Sequence, residues 1–330
     1  MRAVVARAGV PVWDERPTPE PGPGEVRLRV AWTALNRADC LQLAGRYPPP
    51  PGVTDIPGLE AAGWIDAIGP GVSRWTIGDP VCALLAGGGW AEQVCCPEGQ
   101  CASLPDGMGL DDAATLPEVW ATAYLNLVVE GRLQAGERLL VHAGASGVGT
   151  AAIQLARWLG AEVAVTASAT KGPALTALGA RAFDRRGPWP AQVAAAWPEG
   201  VDLILDPVGG AHLEDNLALL CTDGRIQQIG VMGGPKGVVD LARLLVRRLT
   251  VRGSTLRARP PAEKARLMRA LEAELWPAFA AGQLRTVIDR TFAVTDIADA
   301  VAWLTQDQSV GKVRIRVDDA WALDPGADGA

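Results

Sequence analysis

The sequence predicts an α/β protein in which a doubly wound parallel sheet is inserted into a β-rich domain. Three observations carry that prediction. First, the apolar run Leu139–Val141 breaks into the small-residue turn H-A-G-A-S-G-V-G-T at 142–150, and the apolar-periodic run A-A-I-Q-L-A-R-W-L follows at once; this reads as strand, tight turn and helix. Second, a new strand, Glu162 to Thr166, begins one helix length later, as a βαβ unit requires. Third, the texture before Arg138 differs: short, alternating segments are punctuated by Gly and Pro at the spacing of a small β-barrel-like domain.

In order, Arg2–Ala8 reads as a strand, and Pro17, Pro19, Pro21 and Pro23 form a stiff loop. Glu25–Ala31 alternates apolar and charged residues like a half-buried antiparallel strand. A short helix starts at Asn36, a plausible cap, and ends by Tyr47, where Pro48–Pro51 force an extended loop. Strands follow near Ala61–Ile68, Pro80–Leu85 and Ala91–Cys96. Asp111 and Asp112 cap a helical stretch that runs toward Val129 with a break near Pro117. From Arg138 strands alternate with helices: Arg138–His142, Glu162–Thr166, Ala182–Asp184, Val201–Asp206, Arg225–Gly230 and Leu249–Gly253, with helical patterns such as Leu213–Leu220 and Leu241–Arg247 between them. Runs like L-I-L suit a parallel sheet buried on both faces, so this segment is a Rossmann-type domain. A long helix, Ala262–Ala281, a strand near Val287–Phe292, a helix capped by Thr295 and a last strand, Lys312–Val317, return to the first domain. The expected division is 1–118 plus 254–330 for the β-rich domain and 119–253 for the Rossmann domain. The tail from Asp318 reads as loose.

Composition excludes several classes of function. With 48% hydrophobic residues the chain is not disordered, and a net charge of −6 without a basic block argues against nucleic acid. No apolar run reaches membrane-spanning length, and the N-terminus does not read as a signal peptide; the expected location is the cytoplasm, with no membrane partner. The six cysteines include no C-x-x-C pair and read as packing residues.

The glycine turn is the strongest chemical signal. Gly144, Ala145, Ser146, Gly147, Val148 and Gly149 are the expected contacts to a cofactor pyrophosphate: glycine lets the chain turn sharply and approach a phosphate, and the helix N-terminus points its amides and dipole at it. Ser146 replaces the second glycine of the G-x-G-x-x-G fingerprint. A glycine-rich turn occurs in other α/β proteins too, but the strand that follows weighs toward a nucleotide. At the end of the second strand an NAD-binding unit carries an acid for the ribose 2′-hydroxyl. Glu162 lies at the wrong end, and Ser168 and Lys171 stand where the acid would be. Arg185, after the third strand, adds a second cation. The alternative makes Lys171 and Arg185 solvated surface charges; the balance favours NADPH over NADH.

Four stretches resemble the quinone oxidoreductase branch of the medium-chain dehydrogenase/reductase superfamily: A-L-N-R-A-D at 34–39, G-L-E-A-A-G at 58–63, the turn and helix at 142–156, and D-P-V-G-G at 206–210. G-R-Y-P-P-P-P-G at 45–52 resembles the p53-inducible quinone oxidoreductase subgroup in particular. The resemblance implies a GroES-like barrel for the β-rich domain, NADPH as cofactor, no metal and a homodimer paired through the Leu249–Gly253 edge. In zinc alcohol dehydrogenases a cysteine aligns with Asn36 and a histidine with Leu59; Glu60 alone cannot make a three-ligand site. The resemblance also implies that Asn36, Thr122, Val208, Gly230, Val231 and Met232 line the nicotinamide end and that Lys312 closes the site. Asn36 and Tyr47 are the catalytic candidates, and Tyr47 is also counted with the cofactor contacts. Tyr47 reads as a proton donor or as an aromatic wall, two roles left open.

The expected activity is NADPH-dependent, zinc-independent reduction of a small quinone by direct hydride transfer. One alternative is reduction of activated C=C bonds in 2-alkenals or enoyl thioesters. The other, from a different class, is a non-catalytic NADPH-binding sensor.

Overall fold

The computed structural model describes residues 1–7 and 9–317; the tail from Asp318 lies outside the described residues. Two compact units are formed, one by Met1–Ala121 with the chain from Leu256 onward, the other by Thr122–Thr255.

The first unit opens with the antiparallel hairpin β1 (Arg2–Arg7) and β2 (Val10–Glu15), then β3 (Glu25–Ala34), α1 (Arg37–Leu43), β4 (Glu60–Ile68), β5 (Pro80–Leu84), β6 (Gln93–Pro97) and β7 (Cys101–Ala102). Helix α2 (Leu110–Ala113) follows, and α3 (Pro117–Tyr124) leads into the second unit. That unit alternates strictly: β8 (Arg138–Val141), α4 (Gly147–Trp158), β9 (Glu162–Ala167), α5 (Gly172–Ala177), β10 (Arg181–Asp184), α6 (Trp189–Ala196), β11 (Val201–Asp206), α7 (Leu213–Leu219), β12 (Leu220–Gln228), α8 (Leu241–Val246) and β13 (Thr250–Gly253). The chain then re-enters the first unit as α9 (Pro261–Ala270), α10 (Trp276–Ala280), β14 (Ile288–Ala293), α11 (Ile297–Thr305) and β15 (Lys312–Arg316). No helix among the described residues is long and apolar enough to cross a membrane.

In the first unit, β3 organises a mixed sheet of order β14-β15-β3-β4-β5-β7, with β6 also on β3. Its first half alternates buried and part-exposed residues, whereas its second half is buried throughout. The alternation fades where β15 joins it, pairing Arg314 with Ala34 and Ile315 with Thr33. The sheet's apolar side buries Val26, Leu28, Val30, Ile65 and Val81. The second unit is a six-stranded parallel sheet of order β10-β9-β8-β11-β12-β13, the doubly wound arrangement. Leu140, Ala164, Ile204 and Ile226 are among its buried strand residues, in one cluster with Trp189 and Trp197.

Three local expectations are corrected. Asp111 and Asp112 do not cap α2; Gly109 holds the cap position, and the two acids sit in the first turn with Arg314 at 2.6 and 2.9 Å. Thr295 does not cap α11 either: Asp296 holds that position and Thr295 lies in the 3-10 turn before it. The stretch Ala262–Ala281 is not one regular helix, because it widens into a π turn at Leu271–Leu275 before α10. Pro277, lacking an N–H, removes one bond of the regular ladder there.

Candidate active site

Each unit assembles its own group of candidate residues. In the first, Asn36 is the N-cap of α1, as its residue type suggests, and forms a capping box with Asp39. Asn36 N–H donates to Asp39 Oδ2 at 2.8 Å. The Asn36 amide also reaches the flanking strands: Nδ2 donates to Glu60 Oε1 at 2.9 Å and Oδ1 accepts from Lys312 Nζ at 2.8 Å. Lys312 Nζ also donates to Glu60 Oε1 at 2.6 Å and to the Leu35 carbonyl at 2.9 Å. All three ammonium hydrogens are thereby taken, so Lys312 fixes which way the Asn36 amide faces. Register brings them together: Lys312 opens β15, Glu60 opens β4, and both strands flank β3, which ends just before Asn36.

Tyr47 is half-buried, with the Arg257 guanidinium 5.4 Å from its ring centroid. Arg257 is itself buried and held by the Ala86 carbonyl at 2.7 Å and Gln42 Oε1 at 2.6 Å. Burial pushes the Tyr47 phenol up, and the arginine opposes that shift. Asp39 accepts from the Gly58 amide as well, at 3.0 Å, yet burial still raises its carboxyl to about 7. Glu118 donates its N–H to Glu60 Oε2 at 2.9 Å. Glu118, Arg257 and Lys264 were not singled out from sequence; a charged residue inside an otherwise apolar segment, as in L-P-E-V-W, is the signal that could have found Glu118.

In the second unit the glycine turn joins β8 to α4. Ser146 is the N-cap, its Oγ accepting from Gly149 N–H at 3.0 Å, which explains a serine in the fingerprint. The Gly147 and Val148 amides precede the helix's own hydrogen bonds and are the donors an N-terminus presents to an anion. Two glycines serve packing before anything else. A Cβ on Gly149 would sit 2.5 Å from the Gly144 carbonyl oxygen, and one on Gly144 would sit 2.5 Å from Val165 Cβ.

Beyond β9, Lys171 N–H bonds the Ser168 carbonyl at 2.9 Å, and Arg185 N–H bonds the Ala167 carbonyl at 2.8 Å. Ser168, Lys171 and Arg185 therefore gather at the C-terminal ends of neighbouring parallel strands. Lys171 is buried and Arg185 exposed. Pro207 and Val208 meet the 230–233 loop: Gly233 N–H donates to the Val208 carbonyl at 2.7 Å and Met232 N–H to the Pro207 carbonyl at 3.1 Å. Val231 and Met232 are exposed, and Thr122 lies at the end of α3, accepting Asn126 Nδ2 at 2.8 Å.

Asp206 braces this loop. Its Oδ1 receives the Val208 and Gly209 amides, and its Oδ2 receives Asn216 Nδ2 at 3.0 Å. Asn216 Oδ1 faces His142 Nε2 at 2.7 Å, and His142 Nδ1 faces the Thr166 hydroxyl at 2.8 Å. Because Asn216 presents its oxygen, the proton is assigned to Nε2. Burial holds His142 down at about 3, a neutral strut rather than an acid–base group.

A zinc ion does not fit the residues present. Lys312 places an ammonium against Glu60, the one acid remaining from the metal set, and among the described residues no group of three or more His, Cys, Asp or Glu is placed to hold a metal.

Comparison with known proteins agrees with this architecture. Residues 22–106 match the alcohol dehydrogenase GroES-like domain, and residues 147–273 match the zinc-binding dehydrogenase domain. The human synaptic vesicle membrane protein VAT-1 homolog is 33% identical over 312 residues, 89% of this chain and 79% of that protein. Among solved structures, the JamJ enoyl reductase superposes with a TM-score of 0.87 at 27% identity, covering 96% of this chain and 99% of that one. A Pseudomonas syringae quinone oxidoreductase gives 0.85 at 27%, again over 96% and 99%. A mycobacterial protein complexed with NADPH gives 0.86 at 27%, over 96% and 100%. The chain belongs to the medium-chain dehydrogenase/reductase superfamily and is an oxidoreductase of its quinone oxidoreductase-like branch.

Proposed function

We propose that the protein is an NADPH-dependent reductase that needs no zinc and whose acceptor is a small quinone. The observation that carries the cofactor is the meeting of Ser168, Lys171 and Arg185 at the ends of β9 and β10, with no acid where a ribose 2′-hydroxyl would be gripped. The NADPH complex of a mycobacterial neighbour supports the same choice. When bound, the dihydronicotinamide supplies the hydride. The chain's own residues position and polarise: the 144–149 turn receives the pyrophosphate, Val208 and Gly230–Met232 bound the nicotinamide, Asn36 is oriented by Lys312 and Glu60, and Tyr47 faces the acceptor.

The quinone oxidoreductase neighbour supports the quinone, and the enoyl reductase neighbour supports the second reading, reduction of an activated C=C bond. Tyr47→Phe separates the two roles of that side chain. As a proton donor, Tyr47 is expected to lower alkenal turnover roughly 10²-fold when its hydroxyl is removed. Unchanged turnover with every acceptor would leave it a wall.

A second copy of this chain is the proposed partner. β13 has one neighbour among the described residues, β12, and Val251 on it and Leu241, Leu245 and Val246 on α8 are exposed. An unpaired edge beside exposed apolar residues is an association surface. Light scattering is expected to show a dimer that Leu245→Asp converts to monomer; a wild-type monomer at micromolar concentration would refute the pairing.

A further inference from the structure

Arg257 is a buried cation held by neutral groups. It is 3% exposed and stands where the chain re-enters the first unit, ahead of α9. Its Nε donates to the Ala86 carbonyl at 2.7 Å, its Nη2 to Gln42 Oε1 at 2.6 Å and its Nη1 to the Tyr47 carbonyl at 3.4 Å. Gln42 Nε2 in turn donates to the Asp55 carbonyl at 2.7 Å, which aims Oε1 at the guanidinium. Among the described residues no carboxylate forms an ion pair with Arg257; Asp39, Glu118 and Lys264 are the other charges that face it. The guanidinium carbon lies 5.4 Å from the Tyr47 ring centroid. One side chain thus grips the Tyr47 turn by carbonyl and by ring, and ties it to α1 and to the chain at Ala86. A buried charge without a counter-ion costs stability, and such a charge against a tyrosine of the candidate site marks a group kept for its electrostatics.

We propose that Arg257 is the positioning residue of Tyr47: it fixes the ring and supplies a permanent positive charge that makes the phenol a stronger proton donor. This rests on the reading of Tyr47 as the group facing the acceptor. After hydride addition an activated alkene is an enolate. The Tyr47 O–H bond breaks, a C–H bond of the saturated product forms, and the electron pair of the broken bond stays on the phenolate oxygen. Arg257 balances that negative charge, and water returns the proton. A cation against the ring favours the ionised phenol, and a more acidic phenol is the better general acid. Burial and Glu118 hold the phenol up, and Arg257 is the group that pulls it back. An ammonium at this place would keep the charge but not the planar fork that reaches Ala86 and Gln42 together.

The chain has two tyrosines, Tyr47 and the buried Tyr124, so the phenol of Tyr47 can be followed by itself. Fluorotyrosine incorporated at both positions gives two fluorine NMR signals and brings both titrations down into the range where the fold is stable; Tyr47→Phe assigns them. Arg257→Met is expected to raise the Tyr47 midpoint by about one pH unit or more. It is also expected to lower kcat for alkenals about 10-fold or more and to leave NADPH affinity unchanged. Added to Tyr47→Phe, it is expected to cost no further turnover. Arg257→Lys keeps the charge, so the Tyr47 midpoint should stay near the wild-type value while kcat recovers only in part.

An unmoved midpoint in Arg257→Met overturns the proposal whatever the turnover, and so does a midpoint raised in Arg257→Lys; the lysine variant decides alone where the methionine variant does not fold. If Tyr47→Phe is slow and Arg257→Met is not, Tyr47 remains the donor and Arg257 loses its role. If the midpoint moves but both variants turn over alkenals at the wild-type rate, the donor reading of Tyr47 fails and takes the proposal with it.

Discussion

Lys312→Met is expected to destabilise the first unit by about 3–5 kcal/mol, because it leaves Glu60 as a buried charge without its counter-ion. Lys312 is 4% exposed and Glu60 fully buried, so water cannot replace the lost ammonium. The same change removes the donor to Asn36 Oδ1, so the amide loses its fixed orientation and turnover falls with stability. Glu60→Leu combined with Lys312→Met separates the two effects. Replacing both partners of a buried pair with apolar groups is commonly neutral or stabilising, so the double variant should recover much of the folding free energy and little of the activity. Denaturant unfolding of the two variants checks the first half, and steady-state rates check the second. A single variant as stable as wild type would mean that the pair is not buried as described.

The second large effect is on cofactor choice. A charge-assisted hydrogen bond is worth roughly 1.5–3 kcal/mol, or about one to two decades of affinity. Lys171→Ala and Arg185→Ala are each expected to weaken NADPH binding by about that amount while leaving NADH nearly unaffected. Titrating both cofactors against the intrinsic fluorescence of their nicotinamide checks this. Equal weakening of both would reassign Lys171, which is buried, to a packing role.

Much of this architecture is written in local pattern. The βαβ signal at 138–166 is legible because a parallel strand buried on both faces has to be apolar and a tight turn has to be small. The partners of the site are less legible, because they are assembled by register. Nothing near Lys312 in sequence announces Glu60 or Asn36; β15 and β4 reach them by flanking β3. Likewise, Asp206 reads as one residue of D-P-V-G-G, and its bond to Asn216, and so to His142, appears only once α7 packs near β11 and β8. Asn36 carries both kinds of signal: it is the N-cap its residue type suggests, boxed with Asp39, and its amide also meets the buried Lys312–Glu60 pair, which only register reveals. The acids at 111 and 112 instead sit in a first turn and pair with Arg314.

The most direct test is the initial rate of NADPH and of NADH oxidation with a panel of quinones and a panel of alkenals and enoyl thioesters, with and without added zinc. The account predicts oxidation of NADPH in preference to NADH, unchanged by zinc and fastest with quinones. A preference for NADH would contradict the assignment of Ser168, Lys171 and Arg185, and NADPH binding without oxidation by any acceptor would contradict the enzyme itself.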